Sequence, residues 1–250
     1  MSGHSKWNTI KRKKGAIDAK RGKAFTKVIK EITVAAREGG GIESSNPRLR
    51  AAITTAKGVN MPSANIEKAI KRGTGELPGI VYEEAIYEGY GPGGAALLIS
   101  ALTDNKNRTV SELRHILTKS GGSLAGPGSV AWIFEAKGLI LISTKGVSEE
   151  DLFSAAVEAG ADDIRTEGNM FEVVTTPENY ENVKSSITGS GIEMDSAELT
   201  QVPGSSVKIE GNDARVLLRL MEELENHDDV QGVYSNFDID ESIIEEIAAV

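Results

Sequence analysis

The hydrophobic period of this chain changes once, at residues 73–79, and that change limits the folds open to it. Those seven positions hold three glycines and a proline, the strongest local punctuation a chain carries. Before them, apolar residues recur at helical spacing. Phe25, Val28, Ile29, Ile32 and Ala36 share one face of a helix predicted over 17–37. Gly39-Gly40-Gly41 ends it, and Asn46-Pro47 reads as an N-cap followed by proline in the first turn. Leu49, Ala52, Ile53 and Ala56 stripe a second helix. Ile66, Ala69 and Ile70 stripe a third, which starts near Pro62 and stops at Gly73. Three short amphipathic helices predict a small helical domain.

After the break the pattern mixes. Strands are predicted at 81–90, 95–102, 130–134, 139–142, 197–202 and 230–238, with two more crossing 164–174. Helices are predicted at 110–119, 149–159, 178–188 and 212–225. Strands and helices in small mixed groups argue for α+β layers, not a doubly wound parallel sheet.

Charge follows the same division. The whole chain carries a net −9, with a pI near 5.0. Residues 1–73 hold 17 Lys and Arg against 5 Asp and Glu, and the remainder holds 11 against 32. Such asymmetry points to polyanion binding by the basic part. On the predicted first helix Lys20, Lys23, Lys27, Lys30 and Arg37 gather on the side opposite the apolar face, with Glu31 nearby as the one acidic exception, and Arg21 adds charge to the same helix. Residues 1–16 read as an arm bearing Lys6, Lys11, Arg12, Lys13 and Lys14. Arg48, Arg50, Lys71 and Arg72 add positive charge from the next two helices, as do Lys57 and Lys68. Neutralising phosphates with counterion release is the physical use of such a surface, and a solvated basic face without a partner is the alternative. Trp7 either stacks on a base or anchors the arm onto the helices. Lysine outnumbers arginine in the arm, which favours backbone contact over base reading.

Catalytic and cofactor signatures are missing from the sequence. There is no phosphate-loop or dinucleotide fingerprint, and the glycines at 91–94 read as a tight turn. His4, His115 and His227 are far apart, with no pair at metal-binding spacing. The polar run Asp104-Asn105-Lys106-Asn107-Arg108 reads as a solvated turn with Asn107 capping the next helix, or as a functional loop. The acidic set Glu222, Glu223, Glu225, Asp228 and Asp229 reads as a solvent face. No enzyme, cofactor or metal is expected. No run of eighteen apolar residues occurs, so no membrane partner is expected. Cysteine is absent, which fits a cytoplasmic protein.

The motifs are more specific than the composition. GHSKW at 3–7, DAKRGKAFTKVIKEI at 18–32, NPRLR at 46–50 and NMPSANIEKAIKRGTG at 60–75 resemble the YebC/PmpR family. So do YEGYGPGG at 87–94, ALTDNKNRTVSELRH at 101–115 and GSVAWIF at 128–134. The likeness implies an N-terminal helical domain at 1–78, then a discontinuous α+β domain at 79–134 plus 204–250, with a second α+β domain inserted at 135–203. It also implies a DNA-binding transcriptional regulator. Other members act at the ribosome, binding ribosomal RNA and relieving stalled elongation, and some activate mitochondrial translation. A protein-interaction scaffold using the acidic lobes is a third reading. Oligomeric state is not legible.

Overall fold

The computed structural model describes Trp7 and residues 18–248, with a few side chains in the first and last helices and one in a strand set aside. The predicted arm, apart from Trp7, lies outside the described residues. Three helices form a head: α1 (Asp18–Gly39), α2 (Pro47–Gly58) and α3 (Ser63–Gly73). Their core is the stripe read from the sequence. Val28, Ile32, Leu49, Ala52, Ile53, Ala56, Ile66 and Ala69 are buried together, with Phe25 and Ile29 at the margin. Asn46 joins the first two helices. Its Oδ1 accepts from the Leu49 N–H at 3.0 Å, capping α2. Its amide donates at 2.8 Å to the carbonyls of Ala35 and Gly40. Gly73 ends α3 against α1 so closely that a Cβ would lie 2.4 Å from the Thr33 carbonyl oxygen.

The body follows. Its first sheet contains β1 (Glu83–Tyr90), β2 (Ala96–Thr103), β3 (Ser123–Ala125) and β9 (Val230–Ser235), in the antiparallel order β3-β1-β2-β9. Helices α4 (Lys106–Lys119) and α7 (Gly211–Glu225) supply Leu113, Leu117, Leu217, Leu218 and Met221 to a core shared with Leu97, Ile99, Val233 and Phe237. The second sheet holds β4 (Phe134–Ser143), β5 (Ala161–Glu167), β6 (Met170–Thr175) and β7 (Ser196–Pro203), in the antiparallel order β5-β6-β4-β7. Helices α5 (Glu149–Val157) and α6 (Tyr180–Gly189) pack on it through Leu152, Val183 and Ile187, against Ile140, Ile142, Phe171 and Val173. All four of its strands fall in the chain between β3 and β9. The chain closes with β8 (Val207–Lys208) paired to β10 (Phe237–Asp238), and α8 (Glu241–Ala248). The architecture is a helical domain followed by an α+β region with two antiparallel sheets.

Several expectations change. The strand expected at 130–134 is instead a 3₁₀ turn at Ala131–Ile133, followed by one long strand to Ser143. The cause is Glu88, which is buried in β1. Its carboxylate accepts from the N–H groups of Gly128, Val130 and Ala131 at 2.6–2.8 Å, which pulls these amides out of any ladder. Burial opposes ionisation of Glu88, but the amides of Val130, Gly128 and Ala131 outweigh it and hold the carboxyl below its usual range. Helix α4 begins four residues before the predicted start, because Asn105 rather than Asn107 caps it, accepting from Arg108 N–H at 3.1 Å.

Candidate nucleic-acid interface and the head–body joint

The cations of the head divide into two faces. Lys23, Lys27 and Lys30 lie at i, i+4 and i+7 on α1, and this row meets the C-terminal end of α7. Lys23 Nζ donates to the Asn226 carbonyl at 3.0 Å and Lys27 Nζ to the Glu225 carbonyl at 2.5 Å. The last carbonyls of a helix lack partners within it and carry the negative end of its dipole, so ammonium groups suit them. Lys30 goes deeper. Only 6% exposed, it donates to Asp229 Oδ1 at 2.5 Å and to the Asp228 carbonyl at 3.0 Å. Its ammonium also stands 5.3 Å from the centre of the Tyr82 ring.

Asp229 is the hub of this joint. It is 2% exposed and sits just before β9. Its Oδ2 accepts from Arg108 Nη2 at 2.7 Å and from the Thr109 hydroxyl at 2.8 Å, with Thr103 Oγ1 3.3 Å away. Burial opposes its ionisation, but Lys30, Arg108 and Thr109 outweigh that and hold the carboxyl far below the usual range. Its own N–H donates to His227 Nδ1 at 3.1 Å. That bond leaves the imidazole hydrogen on Nε2, which faces Glu112 Oε2 at 2.8 Å. Glu112, His227 and Asp229 approach one another closely enough to hold a metal ion. The tautomer argues against that use: with Nδ1 accepting from the Asp229 N–H, Nε2 carries the hydrogen and offers no lone pair. Beside this network a cleft of about 810 Å³ opens between head and body, with Lys23, Thr26, Arg108, His115 and His227 among its walls.

The joint continues along the head. Arg48 pairs with Glu31, Glu38 and, across to β1, Glu84 at 2.6–2.7 Å. Arg37 donates to the Tyr82 carbonyl at 2.6 Å. Of the residues expected to touch nucleic acid, Lys23, Lys27, Lys30 and Arg48 are therefore engaged within the protein, and Lys30 is closed to solvent. Trp7 is likewise corrected. It is 3% exposed and belongs to the body core with Leu97, Leu217 and Leu220, so it cannot stack on a base in this state. It is an anchor, but into the body, not onto the head. Lys6, Lys11, Arg12, Lys13 and Lys14 lie outside the described residues. Lys20 and Arg21 fall in the first turn of α1, with their side chains outside that set.

The outer face differs. Arg50 and Lys57 on α2, and Lys68, Lys71 and Arg72 on α3, are exposed. Among the described residues none of the five forms an ion pair; Arg50 donates to the Ser44 carbonyl at 3.0 Å. The sequence reading missed Asp229 as a structural residue because it sits in an acidic run that looked solvated. The available signal was Val230 directly after it, which fixes that end of the run to a strand.

Residues 5–76 match the family of the TACO1/YebC protein N-terminal domain, and residues 82–237 match the TACO1/YebC second and third domains. The chain belongs to the TACO1/YebC family. A TACO1/YebC relative from Citrifermentans bemidjiense is 54% identical over 247 residues, covering 99% of this chain and 100% of its own. One from Syntrophobacter fumaroxidans is 55% identical over 249 residues, with the same coverage. Both bear the name "probable transcriptional regulatory protein". The crystal structure of a conserved hypothetical protein from Aquifex aeolicus superposes with a TM-score of 0.80 at 47% identity, over 90% of this chain and 93% of that one. No helix among the described residues is long and apolar enough to cross a membrane.

Proposed function

We propose that this chain regulates gene expression by binding nucleic acid, as a DNA-binding transcriptional regulator, through the outer face of the head and the basic segment before it. The observation that carries the reading is the exposed set Arg50, Lys57, Lys68, Lys71 and Arg72, five cations on α2 and α3 against one exposed carboxylate, Glu67, with none of the five in an ion pair among the described residues. An excess of cations on one surface repels itself, and phosphates relieve that repulsion while releasing counterions. The name of the relatives supports the transcriptional assignment. The same name supports action by binding and not by catalysis. If about five phosphates are contacted, log K falls against log salt with a slope of roughly −4 to −5.

Crosslinking in cells followed by sequencing of both DNA and RNA tests the assignment. Promoter-region DNA is the expected signal. Crosslinks concentrated in ribosomal RNA would replace it with a translational role on the same surface.

A further inference from the structure

We propose that Trp132 and Tyr90 form a ledge on which unpaired nucleobases stack, so that the nucleic acid this protein takes contains bases outside a duplex. The proposal rests on the nucleic-acid reading above and deepens it, adding a base-binding site on the body to the phosphate-binding face of the head.

Trp132 is 75% exposed, although it sits between the buried Val130 and Phe134. The loop that carries it is fixed from below. The Glu88 carboxylate accepts three of its amides, and Ser129 Oγ donates to the Gly126 carbonyl at 2.7 Å. Keeping a carboxylate buried is costly, and its use here is to hold one loop in shape. Trp132 Nε1 donates to the Ser129 carbonyl at 3.1 Å, and the Tyr90 hydroxyl donates to the same oxygen at 3.4 Å. The polar end of each ring is therefore turned to the loop, and ring surface is what meets solvent. Rings held this way lose little rotamer freedom on binding. Residues 89–103 and 120–134 contain no Asp, Glu, Lys or Arg, although the chain beyond residue 73 carries 32 acidic groups against 11 basic. The Glu88 carboxylate beneath the loop faces amides, not solvent. A cationic partner finds no counter-charge on these segments, and a phosphate meets no carboxylate of theirs. A neutral planar base suits such rings whatever its sequence. The area points the same way. Trp132, Tyr90 and Ile86, exposed on the same face of β1 as Tyr90, offer roughly 400 Å² in all. One side of a stable protein interface buries about 800 Å². The phosphate grip borders this face, because Glu84 shares it and pairs with Arg48 of α2. Tyr90 is six residues, about 20 Å, farther along the strand.

The chain has two tryptophans, and Trp7 is buried. The difference in emission between the wild type and Trp132→Phe therefore belongs to Trp132. The full-length protein is titrated with an intact mixed-sequence DNA duplex of about 30 base pairs, the same duplex with a central single-stranded gap of about four nucleotides, and an RNA duplex gapped in the same way. The gapped forms are expected to quench that emission and the intact duplex to leave it, with the stronger quencher naming the sugar. Affinity is read by anisotropy on labelled copies across a salt series. Trp132→Ala should weaken binding to the gapped forms roughly ten-fold with the salt slope unchanged, because the ledge supplies no cation. Trp132→Phe, which keeps a ring, should retain most of the wild-type affinity. Unchanged emission, or a Trp132→Ala variant that binds the gapped forms as the wild type does, would overturn the ledge and leave the outer face standing. Absence of salt-dependent binding to all three duplexes would remove both. Quenching that follows protein concentration without nucleic acid would assign the ledge to a second copy of the chain and overturn the proposal.

Discussion

The joint face and the outer face of the head carry cations at similar helical spacing, yet one set is woven into the body and the other stands in water. Lys30 meets a buried carboxylate from a residue 199 positions away, whereas Lys71 and Arg72 meet solvent. The difference teaches that periodicity identifies a polar face but not what covers it. A lysine row opposite an apolar stripe marks a second contact surface as readily as a solvated one. Charge on the joint face should therefore cost stability when removed, and charge on the outer face should cost binding.

The strongest way to break that distinction is Asp229→Ala. It strands Lys30 and removes an acceptor of Arg108, so urea unfolding should show a loss of about 3–5 kcal/mol. A loss below about 1 kcal/mol would mean that the joint contributes little. Asn46→Ala, which uncaps α2 and frees two carbonyls of the α1–α2 turn, should cost about 1–2 kcal/mol by the same measurement. Acid sharpens the comparison further. The folded-state pKa of Asp229 is lowered, so its contribution is complete above the unfolded value, near 3.9. Below about pH 4 the unfolded chain takes up a proton that the folded chain refuses, and stability falls with pH. Asp229→Asn should flatten that part of the stability–pH curve, and an unchanged acid limb would count against the network. The smallest expected change in stability is on the outer face. Lys57→Gln, Lys71→Gln and Arg72→Gln together should shift unfolding by no more than about 0.5 kcal/mol. The same triple variant should make the salt slope of duplex binding shallower by roughly 2–3. A large loss of stability without a change in slope would reverse the roles assigned to the two faces.

Local patterns in the sequence carried much of the fold. The stripe from Val28 to Ala69 is the head core, and the Asn46-Pro47 cap and the stop at Gly73 stand where spacing puts them. The family motifs led to the correct family. What local pattern could not carry was long-range pairing. The 3₁₀ turn at Ala131–Ile133 depends on the carboxylate of Glu88, some forty residues earlier. The short β3 is too small to show a period of its own. Lys30 looked like its neighbours Lys23 and Lys27, because its burial is imposed by Asp229 and not by its own helix. The indole of Trp7 suits either a stacking platform or an anchor, and only its seat in the body core decides which. Arg50, Lys71 and Arg72 stay exposed, and none of them forms an ion pair among the described residues.

The placement of β9 has a consequence for synthesis. Its partner β2 is made more than a hundred residues earlier, and the whole second sheet is made in between. Vectorial folding from the N-terminus thus completes the three-helix unit long before the strand that closes the first sheet exists. Asp229 arrives with that strand. Throughout most of translation the nascent polypeptide exposes Lys30 without its counter-ion, and one late pairing event both seals the first sheet and neutralises the row.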